Sequence, residues 1–160
     1  PSGCVKCCLG KNVSAAPLEF LPYAYAQYKA GMLEDRYWAF KDAQQEGCLL
    51  LDYDPLTQKG KCGAYQNRGL ICRLFGASAK TDKNGDKAYI GCSILKEELA
   101  KTPEKRLQIE SKVPTASEYY THLRSIDLDY GSMLLPVNLA IIKALEIVYH
   151  HTRRYSKQTV

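Results

Sequence analysis

The hydrophobic and polar positions change texture along the chain. From Ala24 to Gln45, Tyr25, Tyr28, Met32, Tyr37 and Phe40 recur at spacings of three to five, which predicts an amphipathic helix. Gly31 interrupts this stretch and can split it in two. Pro17 and Pro22 are expected to bracket a loop before it, and Gly47 to stop it as a left-handed C-cap. Leu49-Leu50-Leu51-Asp52-Tyr53 is a short apolar run that predicts a strand. Asp54-Pro55 and Thr57 to Gly60 then predict a turn, and Lys61 to Tyr65 a returning strand. Gln66 to Phe75 predicts an irregular turn or a short helix. Ala77 to Lys87 is polar, with a turn signal at Asn84-Gly85-Asp86, and Tyr89-Ile90-Gly91-Cys92 is apolar again.

Beyond Cys92 the pattern is helical: Ile94 to Lys101, Ser117 to Ile126, and Leu134 to Tyr155. Pro136 is expected in the first turn of the last helix, where its missing N–H costs nothing. The apolar positions of that helix, Leu139, Ile142, Leu145 and Val148 among them, are spread around most of its circumference and predict deep packing. Arg153, Arg154 and Lys157 lie toward its C-terminal end, which favours positive charge. The expected fold is mainly α with a small β-hairpin. A single domain spans residues 1–160, with a loop-rich cysteine half (1–93) packed on a helical half (94–160).

Length and composition narrow the class. The 160 residues suit one core, since single domains commonly run ~100–200 residues. A charged fraction of 24% with ordinary glycine and proline counts excludes disordered, collagen-like and coiled-coil chains. No stretch reaches the ~18 uncharged apolar residues of a membrane span. Pro1 to Lys11 carries cysteines and lysines where a signal peptide would be apolar, so the sequence reads as cytoplasmic with no membrane partner.

The seven cysteines carry the candidate chemistry. An odd number leaves a thiol over from any set of disulfides, and in a reducing compartment clustered cysteines favour metal. All seven fall between Cys4 and Cys92. Cys4 and Cys7 form a C-x2-C pair, whose two sulfurs can reach one metal at ~2.3 Å. Cys8 is harder to place on that metal because adjacent side chains tend to diverge, so it either bridges to a second metal or stays outside. Cys48 and Cys62 lie at the outer ends of the predicted hairpin, with Cys72 and Cys92 following. One tetrahedral zinc or one [4Fe–4S] cluster needs four thiolates and leaves three spare. Two zincs need eight positions, which seven sulfurs supply if one bridges. For any one cysteine a buried thiol is the ordinary alternative. Thiolates bound to two zincs would lower the formal charge of +5 to about +2, so basicity argues only weakly for a nucleic-acid partner.

The order Cys4-x2-Cys7-Cys8, Cys48 before Leu-Leu-Leu-Asp, then Cys62-x2-Tyr65-x2-Arg68-x3-Cys72-Arg73-x-Phe75 resembles the YkgJ-type cysteine-cluster family. That resemblance covers about the first ninety residues and implies a zinc- or iron-chelating domain; a related region occurs in flagellin lysine methylases. The family usually has proline after the arginine aligned with Arg68, whereas Gly69 stands here and is expected to loosen the backbone. Arg68 and Arg73 flank Cys72 and are candidates to hydrogen-bond the thiolates from outside the metal shell; a pair of surface arginines is the plain alternative.

His122, His150 and His151 lie outside the cysteine region, and a helix-dipole contact accounts for the last two. Twelve tyrosines read as packing residues. No glycine-rich phosphate loop and no catalytic motif is recognised, which leaves enzyme activity open. Three classes remain: a zinc module, an iron–sulfur redox protein or accessory to a modification enzyme, and a nucleic-acid adaptor. The last ranks behind because the lysines are scattered. A protein partner stays open.

Overall fold

The computed structural model describes residues 5–10, 12–102, 104 and 112–156, with the side chains of 154–156 outside that description. Cys4 lies outside the described residues, as does Lys157. Seven α-helices are described: α1 Leu21–Lys29, α2 Leu33–Lys41, α3 Leu70–Leu74, α4 Ser93–Ala100, α5 Ala116–Ile126, α6 Leu128–Ser132 and α7 Val137–Ser156. The strands are β1 Ser14–Ala15, β2 Leu51–Asp54, β3 Lys59–Cys62, β4 Ser78–Thr81, β5 Lys87–Ile90 and β6 Leu135–Pro136. They pair as three separate antiparallel ladders, β1 with β6, β2 with β3, and β4 with β5. The class is mainly α with small hairpins, as expected. Sequence patterning anticipated only one of these pairs.

The helix expected over Ala24 to Gln45 is two helices. Gly31 adopts φ 71°, a conformation that residues with a Cβ rarely take, and α2 restarts with Glu34 and Asp35 in its first turn and Lys41 in its last, matching the helix dipole. That break also resets the helical phase. Tyr25, Tyr28 and Met32, expected inside, are exposed, and the core side is taken by Tyr23, Ala24, Leu33 and Phe40. The outward aromatics lie beneath cations instead, Lys29 Nζ 5.9 Å from the Tyr25 ring and Lys41 Nζ 5.1 Å from the Trp38 ring. Pro17 and Pro22 do not bracket a loop: Pro17–Phe20 is a 3-10 turn, and Pro22 sits in the first turn of α1.

In α7 the buried positions are Ala140, Ile141, Ala144, Leu145 and Val148, a single stripe at helical spacing. Leu139 is 52% exposed, so the helix is amphipathic and not packed all round. The two alanines let α1 and α2 lie close against that stripe. Pro136 belongs to β6, opposite Ser14, and α7 begins one residue later, with the Val137 N–H donating to Val13 O at 2.8 Å. A two-stranded tie thus joins the start of the described chain to the start of its last helix.

The core includes Phe20, Tyr23, Ala24, Leu33, Phe40, Leu49, Leu50 and Ala64 together with the α7 stripe, and so draws on residues from both sides of position 93. The β4–β5 hairpin attaches to the segment entering α5 by the Ala79 N–H donating to Pro114 O at 2.9 Å, and to α3 by Ser78 Oγ donating to Leu74 O at 2.9 Å.

Candidate metal centre

Backbone contacts bring the cysteine-bearing loops together. Residues 5–9 form a tight turn, with Cys8 and Leu9 N–H groups both donating to Val5 O, at 2.8 and 3.1 Å. Val5 is buried and anchors the turn on the β2–β3 hairpin at Gly60, where a Cβ would stand 3.2 Å from the Val5 side chain and 2.5 Å from Asp52 O. The Cys48 N–H donates to Cys8 O at 2.8 Å. Gly47, at φ 85°, allows this approach, since a Cβ there would lie 2.8 Å from Cys8 O. Gly47 therefore shapes the cysteine loop and does not cap a helix, because α2 has already ended at Lys41.

Asn138, near the start of α7, fastens the same loop. Its Oδ1 accepts from the Leu49 N–H at 2.9 Å and its Nδ2 donates to Gly47 O at 2.8 Å, one bond on each side of Cys48. Cys62 ends β3 opposite Leu51. Cys72 lies on α3, whose first turn is held by Glu19. The Glu19 carboxylate, 5% exposed, accepts from the Ala16 N–H at 2.8 Å and the Ile71 N–H at 2.6 Å. Burial pushes the Glu19 carboxyl up, against the lowering effect of these N–H groups.

The thiols act on one another. Cys7 and Cys8 sulfurs are 3.9 Å apart, so these neighbours do not diverge as expected. Two thiolates on one tetrahedral zinc at ~2.3 Å would lie ~3.8 Å apart. The hydrogen bond from Cys8 lowers Cys7 to about 6, and the same bond, with burial and the charges of Cys7, Cys48 and Cys72, pushes Cys8 up. Burial raises Cys48, helped by Cys62 and Cys7. Cys72 is pushed up to about 12 by burial first, then by Cys48, Cys62, Glu19 and Cys7. Five thiols, those of Cys7, Cys8, Cys48, Cys62 and Cys72, thus stand within electrostatic reach of one another. Cys92 is the N-cap residue of α4, and its charge is felt at the Tyr89 phenol, which burial and Cys92 raise.

Among the described residues, no three His, Cys, Asp or Glu side chains are gathered closely enough to hold an ion as they stand. The donor set nevertheless fits a thiophilic metal. Thiolates this close raise each other's pKa, and a divalent cation reverses that penalty.

The arginines are placed as follows. Arg73 Nε donates to Arg68 O at 3.1 Å, and its Nη2 donates to Gln66 O, so it braces the turn leading into α3. The Arg68 guanidinium lies 4.3 Å from the Tyr65 ring centroid. Between them, Gly69 has a steric role as well. A Cβ there would sit 2.6 Å from the Phe20 ring, so Gly69 marks a close approach of α3 to the core. His150 Nε2 lies 3.8 Å from Glu146 Oε1, a contact along α7.

Asn138 and Glu19 were not anticipated. The available signal was a lone polar residue in each of two apolar runs, Ala15–Pro22 and Leu134–Ile142.

A family model described as "Putative zinc- or iron-chelating domain" (CxxCxxCC) matches residues 2–93. The chain belongs to this family. Metal chelation, of zinc or of iron, is what that membership carries, and the matched region holds all seven cysteines. Asn138, which fastens the Cys48 loop, lies beyond it. No curated protein and no solved structure matches the chain. Among the described residues no helix is long and apolar enough to cross a membrane.

Proposed function

We propose that the protein binds zinc through thiolates drawn from Cys4, Cys7, Cys8, Cys48, Cys62 and Cys72, and that the bound ion orders the loops carrying them. The observation that carries this reading is the 3.9 Å spacing of the Cys7 and Cys8 sulfurs, which suits two ligands of one ion. In a [4Fe–4S] cluster each thiolate takes its own iron, and the sulfurs stand farther apart around the cluster. The charge that Cys62 and Cys7 exert on both Cys48 and Cys72, after burial, supports the same centre, because thiols that disfavour ionising together are stabilised as thiolates by a shared cation.

An all-thiolate tetrahedral shell has no open position, which assigns the site a structural role and not a catalytic one. Cys7 supplies a ready thiolate; Cys8, Cys48 and Cys72 release protons on binding. Asn138 and Glu19 hold the backbone of the Cys48 and Cys72 segments in place.

The test is metal analysis with a visible spectrum on anaerobically purified protein. Colourless protein with at least one zinc per chain is expected. A brown protein that bleaches with dithionite and carries iron and sulfide would replace this reading with the iron–sulfur one.

A further inference from the structure

A cleft of about 470 Å³ opens between the Pro17–Phe20 turn, α3 and α5. Its size falls within the ~300–1,000 Å³ of small-molecule sites. The walls are apolar, with Leu18, Leu21, Leu123 and Ile126 among them. Ile126 remains 75% exposed at the edge, a large aliphatic side chain left in water beside a concave surface.

The polar groups of the cleft are unevenly satisfied. Both carboxylate oxygens of Glu19 are taken by the Ala16 and Ile71 N–H groups. Its negative charge is therefore engaged by the backbone. The cations are engaged only in part, with the Arg68 guanidinium stacked on the Tyr65 ring. Arg68 Nε is shut off from solvent with no acceptor, a rare and costly state for a charged donor. Arg73 is held in position by carbonyls of Gln66 and Arg68, which occupy two of its five N–H donors. An apolar slot with two guanidinium cations in its lining matches a ligand with a single carboxylate on an apolar body. The guanidinium fork suits a carboxylate geometrically.

We infer that this cleft binds an apolar monocarboxylate, a small molecule of the medium-chain fatty-acid class, with its carboxylate at Arg68 and Arg73 and its tail along Leu123 and Ile126. The cleft adjoins the thiols, since Arg73 and Cys72 are consecutive on α3 and Glu19, in the cleft wall, also acts on Cys72.

The experiment uses the purified full chain with its metal, titrated with octanoate and followed by calorimetry and amide chemical shifts. Octanol and octylamine serve as charge controls. Saturable binding of one octanoate per chain is expected, with shifts confined to residues 18–22, 67–73 and 119–126. Octanol and octylamine should bind at least tenfold more weakly. Arg68→Gln should weaken octanoate about tenfold or more, the scale of one charged hydrogen bond, and Arg68→Lys should fall between. Leu123→Trp, which puts a larger side chain into the slot, should abolish binding. No saturable binding, equal affinity for octanol or octylamine, or indifference to both Arg68→Gln and Leu123→Trp would overturn the inference.

Discussion

Replacing Asn138 by alanine removes both ends of the clasp around Cys48 while leaving every thiol in place. The Leu49 N–H, on a buried residue, loses its acceptor. An orphaned buried donor costs about 1–3 kcal/mol. Gly47 O, on a half-buried residue, loses the Nδ2 donor and can turn to water, so it adds about 0.5–1 kcal/mol. The expected loss is about 1.5–4 kcal/mol, large against the ~5–15 kcal/mol stability of a typical domain. Urea unfolding at fixed metal load should show a lower midpoint with an unchanged slope. The Cys48 loop should also bind metal less well, by roughly 10–100-fold, the usual scale for residues that orient ligands from outside the shell, read by competition with a chromophoric chelator. Asn138→Asp keeps the Oδ1 acceptor for Leu49 but sets a carboxylate oxygen against Gly47 O, so it should recover only part of the stability. A loss under about 0.5 kcal/mol for Asn138→Ala, within the range of ordinary surface changes, would refute the clasp.

Other consequences follow from particular contacts. Gly69→Ala puts a Cβ 2.6 Å from the Phe20 ring, which is 1% exposed and has nowhere to swing; thermal unfolding should show a loss of about 1–3 kcal/mol, and an unchanged melting temperature would argue against the close approach. In metal-free protein, alkylation of Cys7 by iodoacetamide should rise through pH about 6, well below the ordinary thiol value of ~8.5. Because the folded-state pKa is lowered, this thiolate's contribution to metal-free stability is complete above the unfolded value and lost as pH falls through about 6; a reactivity midpoint near the ordinary value would contradict the Cys7–Cys8 bond. Cys92→Ser should leave metals per chain unchanged, whereas Cys48→Ser or Cys72→Ser should lower them, and a loss of metal in Cys92→Ser would bring that cysteine into the centre. Chelation should loosen the cysteine loops before the core of α1, α2 and α7, seen as earlier hydrogen exchange at Cys8 and Cys48 than at Ile141; one simultaneous transition would contradict it.

The sequence pattern gave the helical class and the β2–β3 hairpin because periodicity and turn chemistry are local signals. It placed Tyr25, Tyr28 and Met32 inside because five aromatic and apolar positions fit one helical stripe. The Gly31 break rephased that stripe, and cation–π contacts made the outward face acceptable. The β1–β6 and β4–β5 pairs escaped notice for different reasons. Ser14–Ala15 and Leu135–Pro136 are too short to show alternation, and they lie 120 residues apart. Lys80 and Lys87 make the second hairpin look like solvated loop. Cysteine spacing pointed to an approach of the loops that carry the thiols, and those of Cys8 and Cys48 do meet. The spacing could not show what holds them there, because Asn138 and Glu19 act through backbone groups distant in sequence. Gly69 illustrates the same limit. Its freedom of backbone was legible, but the Phe20 ring that excludes a side chain was not.

X-ray absorption at the zinc edge of the protein as purified under nitrogen tests the central claim most directly, since it reads what surrounds the ion. The account predicts a zinc signal with a first shell of sulfur only, at ~2.3 Å. A shell dominated by nitrogen or oxygen, or absorption at the iron edge with an iron–iron scattering path, would contradict it.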